Sequence, residues 1–330
     1  MNLQEALNGI RSILGHRICI LFHHNADPDA LCSAYALSRL LPSIRAGVEV
    51  TISPSKGLSK ISERVAEHLG ITLEENPIIE EMDTLFIVDT GSLQQLEEMK
   101  DRVLTAKAPL VVIDHHAEHA EIKAASRLYI VDEEAASTCE ITYGLYKEAG
   151  VKPTGQAAKA LLLGIAYDTR RFASGTSATF KAIGELLELD GALAEIPSLL
   201  TRVMDRSEKI ARLKAGQRMK IYTIDGWLVV SAEVSSYQAS AARGLLNLGA
   251  DLALVGGSGE GGIRISMRST EDFYSETSLH LGRVIAIPLG EAFRGAGSGH
   301  STAAGVNALG DLEEALNMAV KMVSERLTHI

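Results

Sequence analysis

Leu110-Val111-Val112-Ile113-Asp114-His115-His116 is an apolar run that ends in one acid and two imidazoles. Four consecutive aliphatic residues predict a strand buried on both faces. Residues 17–23 repeat the arrangement: an apolar run ends at His23, and the polar segment after it carries Asp27, Pro28 and Asp29. Residues 84–89 repeat it again and end at Asp89. A further strand is predicted over 48–53 and another over 129–131. Helical periodicity fills the intervals: 2–14, 29–41 (stopping near Pro42), 60–69 and 93–105, then 137–149, 155–167 and 177–189 beyond. Alternating strands and helices of these lengths predict a doubly wound, mainly parallel α/β sheet. Such sheets gather ligands at the carboxyl ends of their strands. That is where the acids and histidines fall, with Asp168 added at the end of a helix.

The rest of the chain predicts a smaller α/β domain. Asp225-Gly226 between two apolar runs is a hairpin signal. A helix over 237–248, strands over 251–256 and 263–268, a helix over 278–287 and a last amphipathic helix over 311–327 follow. The glycines of 256–262 lead into a strand and lack the spacing of a nucleotide-binding loop, so they read as a hairpin loop. The division expected is a metal-binding domain at 1–190, a helical connector at 191–220 and a substrate-binding domain at 221–330.

The chain has 330 residues, 46% hydrophobic and 22% charged, which suits a globular protein of two domains. No apolar stretch reaches the ~20 residues a membrane span needs, and the first residues lack a signal peptide's basic and apolar regions. A cytoplasmic enzyme without membrane contact is the expectation. Cys19, Cys32 and Cys139 are odd in number and far apart, as in reduced buried thiols. A net charge of −10 argues against tight binding of long duplex nucleic acid, but not of a short oligonucleotide or nucleotide.

Each acid and histidine also has an ordinary reading. Asp27 and Asp29 fit as helix caps. Asp89 could close a strand, and Asp168 could pair with Arg170 or Arg171. Together they make a different case. Asp27, Asp29, Asp89 and Asp168 carry enough charge to offset two divalent ions, and clustered carboxylates without a cation repel one another. Oxygen and imidazole donors without thiolate suit Mn2+ or Mg2+ and permit Co2+.

The chain resembles the DHH phosphoesterases. Four motifs match in order: His23 with Asp27-Pro28-Asp29, then Val88-Asp89, then Asp114-His115-His116, then Asp168. The second half resembles the family's associated substrate-binding domain, in Ile265-Ser266-Met267-Arg268-Ser269 and in Gly297-Ser298-Gly299-His300 with Gly305 beyond. Ser298 departs from the family's usual glycine and would be strained if that position needed φ > 0. The glycine-rich 256–262 segment is a second departure, expected to reshape the substrate entrance.

The resemblance implies roles. His23, Asp27 and Asp89 would hold one of two divalent ions, Mn2+ by preference. Asp29, Asp89, His115 and Asp168 would hold the other, with Asp89 bridging and a bridging water as nucleophile. His116 would donate a hydrogen bond or proton at the reacting phosphate, with Asp114 orienting a histidine. Arg268, Ser269 and His300 would bind substrate, with the backbone N–H groups of Gly297, Gly299 and His300 as an anion nest. The site would lie between the domains. Within the family the layout looks most like the enzymes that cut very short RNA and remove phosphate from 3′-phosphoadenosine 5′-phosphate. A homodimer through the first domain is implied by the family alone.

The alternatives are a cyclic or linear dinucleotide phosphodiesterase, which usually follows a sensor domain, and a RecJ-like single-strand DNA exonuclease, which carries extra nucleic-acid modules. An inorganic pyrophosphatase would share the first-domain motifs but have a different second domain. A non-catalytic nucleotide-binding module is the reading from another class. Arg264, Arg170 and Arg171 are weaker candidates, His24 should point away from the ligands, and Trp227 reads as packing.

Overall fold

The computed structural model describes residues 2–190, 194, 196–201, 204–259 and 261–328. The chain divides into two units, 1–202 and 203–330.

The first unit is built on five parallel strands, β1 (Arg17–Phe22), β2 (Glu49–Pro54), β3 (Thr84–Val88), β4 (Leu110–Asp114) and β5 (Leu128–Val131). Their order is β2-β1-β3-β4-β5. The period of two in each strand feeds two cores. Ile18, Ile20, Phe22, Phe86, Val88, Val111 and Ile113 join one; Cys19, Leu21, Leu85, Ile87, Leu110 and Val112 join the other. Both faces are therefore covered, which is why these strands read as continuous apolar runs.

Helices α1 (Leu3–Ile13), α2 (Pro28–Ile44) and α3 (Lys60–Leu69) alternate with the early strands, and α4 (Met99–Thr105) and α5 (Ala120–Ala125) with the later ones. Then come α6 (Thr138–Glu148), α7 (Gly155–Asp168), α8 (Ser177–Asp190) and α9 (Ile196–Leu200). Two helices differ from expectation. α2 continues through Pro42 to Ile44, because a proline in the last turn forfeits one hydrogen bond while Leu40 and Leu41 stay buried. The expected helix over 93–105 breaks at Glu97, whose φ is 51°, into a short turn (Leu93–Leu96) and α4.

Order β2-β1-β3 reverses direction at β1, so the sheet opens a crevice at the carboxyl ends of β1 and β3. His23 follows β1, Asp89 follows β3, and Asp114 ends β4.

The second unit begins with α10 (Arg206–Arg218), followed by β6 (Lys220–Ile224), β7 (Trp227–Glu233), α11 (Gln238–Asn247), β8 (Leu252–Gly259) and β9 (Gly262–Ser269). Then come α12 (Glu271–Thr277), a π-helical turn (Leu281–Ala286), α13 (Ile287–Ala292), β10 (Ala296–Gly299), β11 (Ala303–Ala308) and α14 (Leu312–Leu327). The sheet order is β10-β11-β9-β8-β7-β6, with only β7 and β8 parallel. Asp225 and Gly226 both have positive φ, as a two-residue hairpin requires.

Three expectations change here. The stretch 191–220, part of which lies outside the described residues, is shared: α9 belongs to the first unit and α10 to the second, where Ala215 joins the core beside α11. The glycines at 256–259 lie inside β8, not in a loop. A Cβ at Gly256 would overlap Leu312, and one at Gly257 would overlap the Val234 carbonyl oxygen and Gln238. The expected helix over 278–287 starts earlier as α12, capped by the Thr270 side chain, and is interrupted at Ser278 in a left-handed conformation. Among the described residues, no helix is long and apolar enough to cross a membrane.

Candidate metal centre

Every predicted ligand of the first unit converges on Asp89. Among the described residues three overlapping groups form: His23, Asp27 and Asp89; Asp29, Asp89, His115 and Asp168; and Asp89, His115 and His116. Within each group the candidate donor atoms lie within 4.8 Å of one another. The first two groups have the membership that the family resemblance implies, and Asp89 is common to both.

His23 comes off β1 with Nδ1 2.8 Å from the His24 carbonyl oxygen. A carbonyl can only accept, so Nδ1 carries a proton and Nε2 is the atom whose lone pair can reach a cation once the ring is neutral. That Nε2 lies 3.9 Å from Asp27 Oδ1 and 4.0 Å from Asp89 Oδ2. Asp27 is also the cap of α2: its Oδ1 accepts from the N–H groups of Asp29 at 3.0 Å and Ala30 at 3.1 Å. The capping and ligand readings are therefore compatible, because the cap bonds hold the carboxylate in place.

Asp29 is fully buried at the start of α2. The first N–H groups of α6 meet it: Thr138 N–H donates to Oδ2 at 2.6 Å and Cys139 N–H to Oδ1 at 3.1 Å. Asp89 is 2% exposed and has a φ of 50°, a conformation rare outside glycine. Strain of this kind persists where surrounding structure enforces it, and it gathers at functional sites. Thr138 Oγ1 donates to Asp89 Oδ1 at 2.9 Å.

His115 Nε2 is buried 3.1 Å from Asp168 Oδ2 and 3.5 Å from Asp89 Oδ1, yet among the described residues it forms no hydrogen bond of acceptable geometry. A buried polar atom aimed among carboxylates without a hydrogen-bond partner is what a metal ligand looks like. Asp114 accepts at Oδ1 from the N–H groups of His115 at 2.8 Å and His116 at 3.2 Å, and lies 2.8 Å from His116 Nδ1. It is thus a support for the two histidines. His24 turns away, with Nδ1 3.1 Å from the Gln95 carbonyl oxygen.

Electrostatics agree with the donor set. Burial, followed by the charges of Asp27, Asp114 and Asp168, pushes Asp89 up to about 7. Burial, then Asp89 and Asp168, holds Asp29 well above the usual carboxylate range. Burial acts to lower His115, but Asp168, Asp89 and Asp114 outweigh it and lift the imidazole to about 9. Crowded acids and an over-basic imidazole are relieved together by divalent cations.

Sequence reading singles out neither Thr138 nor Gly164. Thr138 sits in Ser137-Thr138-Cys139, which looks like an ordinary helix start, and Ser137 is indeed the cap. Gly164 lies one turn before Asp168 on α7, where a Cβ would overlap Cys139 Sγ and come within 2.7 Å of Asp29 Oδ1. After Asp168, the residues Arg170, Arg171 and Phe172 all have positive φ. Neither arginine forms a salt bridge with an acid among the described residues.

In the second unit, Arg268 and Ser269 end β9, and Gly297 and Gly299 belong to β10. Of the N–H groups expected to form a nest there, one is already engaged. His300 N–H already donates to the Ala303 carbonyl oxygen at 2.7 Å, closing the β10–β11 hairpin. Gly297 is glycine because a Cβ would overlap the Ala286 carbonyl oxygen. Ser298 pairs with Gly305 in extended backbone without positive φ, so its departure from glycine brings no strain. Ser269 Oγ is buried without a hydrogen-bond partner among the described residues.

The sequence model for the DHH family, N-terminal domain, matches residues 17–165. A 314-residue alignment at 34% identity joins the chain to the uncharacterized protein MJ0988 of Methanocaldococcus jannaschii, covering 93% of this chain and 91% of that one. The chain belongs to the DHH family. It is a DHH-family phosphoesterase related to proteins named probable manganese-dependent inorganic pyrophosphatase. That of Bacillus licheniformis is 29% identical over 226 residues, 66% of each chain. Among solved structures, an exopolyphosphatase-related protein from Bacteroides fragilis shares the fold, with a TM-score of 0.63 at 20% identity over 99% of this chain and 96% of that one.

Proposed function

We propose that this DHH phosphoesterase uses two divalent cations, Mn2+ by preference, to hydrolyse very short oligonucleotides or 3′-phosphoadenosine 5′-phosphate. The observation that carries the two-cation reading is one carboxylate, Asp89, common to two donor groups. His23, Asp27 and Asp89 would hold one ion; Asp29, Asp89, His115 and Asp168 would hold the other. Bound there, two cations supply Lewis acidity toward a phosphoryl oxygen and a water of lowered pKa.

The chain's own groups do the rest. Asp114 fixes His116 through Nδ1, so that Nε2 is the atom that carries the transferable proton when the imidazole is in its cationic form. The Asp114 bond also raises His116 above its ordinary pKa, which suits a proton donor to a leaving oxygen. Arg268, Ser269 and His300 would take the substrate phosphate, Arg268 through a planar fork matched to it. A net charge of −10 favours small substrates over long polyanions.

A second reading is hydrolysis of inorganic pyrophosphate, which the names of the curated relatives favour. A manganese-supplemented panel separates the readings: 3′-phosphoadenosine 5′-phosphate, RNA of two to five nucleotides, long single-stranded DNA, a cyclic dinucleotide and pyrophosphate. Turnover that falls steeply with RNA length supports the short-substrate reading. Pyrophosphate turnover alone moves the protein to the second, and processive decay of the DNA overturns both.

A further inference from the structure

We infer that Thr138 is the positioning residue that makes Asp89 a bridge between two cations. The inference rests on the two-cation reading above and names the group that imposes it. Thr138 is fully buried at the start of α6 and touches both central carboxylates. Its N–H donates to Asp29 Oδ2 at 2.6 Å, and its hydroxyl to Asp89 Oδ1 at 2.9 Å. Ser137 already caps the helix by accepting from Glu140 N–H, so the Thr138 hydroxyl is not needed for capping.

The hydroxyl bond fixes the rotation of the Asp89 carboxylate. Oδ1 is held toward His115 Nε2, 3.5 Å away, and Oδ2 toward His23 Nε2, 4.0 Å away. One oxygen thus faces each donor group. A carboxylate oxygen has a second lone pair, so Oδ1 can accept from Thr138 and still bind a cation. Without the bond the carboxylate can turn and offer both oxygens to one ion. Thr138 therefore favours loading of two ions over one. Groups that orient metal ligands typically change metal affinity by about 10- to 100-fold when removed.

The test compares the full chain with Thr138→Val, which keeps the shape and loses the donor, and Thr138→Ser, which keeps the donor. Each is stripped with chelator and titrated with Mn2+ by calorimetry, with electron paramagnetic resonance reporting whether bound ions are spin-coupled. The wild type should take up two coupled ions. Thr138→Val should keep one and bind the second about 10- to 100-fold more weakly, with signal moving to isolated Mn2+. Thr138→Ser should restore both. A Val variant that binds two coupled ions as tightly as wild type overturns the inference. So does a Val variant whose only change is a lower melting temperature, or a Ser variant that fails to restore the second ion. A wild type that binds a single ion would instead overturn the two-cation reading, before any variant is considered.

Discussion

Gly164 of α7 lies directly against the Asp29 carboxylate, where a Cβ would stand 2.7 Å from Oδ1 and overlap Cys139 Sγ. The absence of a side chain lets α7 approach α2 and α6, and one turn later the same helix ends at Asp168. A single close contact thus sets the separation of two expected ligands on different helices. Gly164→Ala should destabilise the protein by about 1–3 kcal/mol through overpacking. It should also weaken Mn2+ binding, because the displaced group is one of the proposed ligands. Thermal melting in chelator and Mn2+ titration check the two effects separately; unchanged metal affinity would show that Asp29 does not bind metal.

Asp89→Asn should separate stability from function. Asparagine keeps an oxygen for the Thr138 hydroxyl but removes a buried charge beside Asp27, Asp114 and Asp168. In chelator above pH 7 the variant should melt higher than wild type. Its turnover with Mn2+ should fall by at least about a hundredfold, since the ligand proposed to be shared by both ions is lost. Retained turnover in a metal-saturated sample would remove Asp89 from the bridging role.

Stability and metal binding should run in opposite directions with pH. In chelator, the folded Asp89 sits at about 7 against an ordinary 3.8, so the folded state binds the proton more tightly. Its contribution is present at low pH and is lost as pH rises from about 4 through 7. His115, at about 9 against 6.5, adds stability that is full below 6.5 and lost as pH rises through 9. The chelated protein should therefore melt lower as pH is raised from about 6 toward about 9. At the proposed site Mn2+ would have to displace those same protons, so its affinity should climb over that range. Melting curves with and without Mn2+ across this window check both slopes; a pH-independent affinity would separate these two residues from the metal.

Arg170 has a φ of 51° in a run of three such residues. Left-handed backbone costs a non-glycine residue about 1–2 kcal/mol, so Arg170→Gly should stabilise the protein by about 1 kcal/mol after glycine's larger unfolded-state entropy is counted. Chemical denaturation measures it. A fall in kcat/KM in the same variant would mark Arg170 as a phosphate-binding group that retains its strain for function.

Arg268→Ala and His300→Ala should act on substrate and leave the cations alone. Losing one hydrogen bond to a charged group costs about 1.5–3 kcal/mol, or roughly 10- to 100-fold in kcat/KM. Mn2+ stoichiometry should be unchanged. Loss of metal from either variant would contradict the division of labour between the two units.

The candidate ligands were legible in the sequence because each follows from a local pattern. His23, Asp89 and Asp114 to His116 all stand where a buried apolar run ends, and a parallel strand must be apolar to be covered on both faces. The alternation of helix and strand then sufficed for the α/β class, while the grouping of the ligands came from the family resemblance that the motifs carry. Tertiary structure alone decided what holds those ligands. Thr138 meets Asp89 across 49 residues of sequence, and Gly164 meets Asp29 across two packed helices, contacts that no local period encodes. The same holds for Gly297-Ser298-Gly299-His300, which as a motif suggests an anion nest. Strand pairing uses the His300 N–H, and packing against Ala286 requires Gly297. Residue type and spacing reveal which groups can do chemistry; only the pairing of distant segments determines which of their atoms are already engaged.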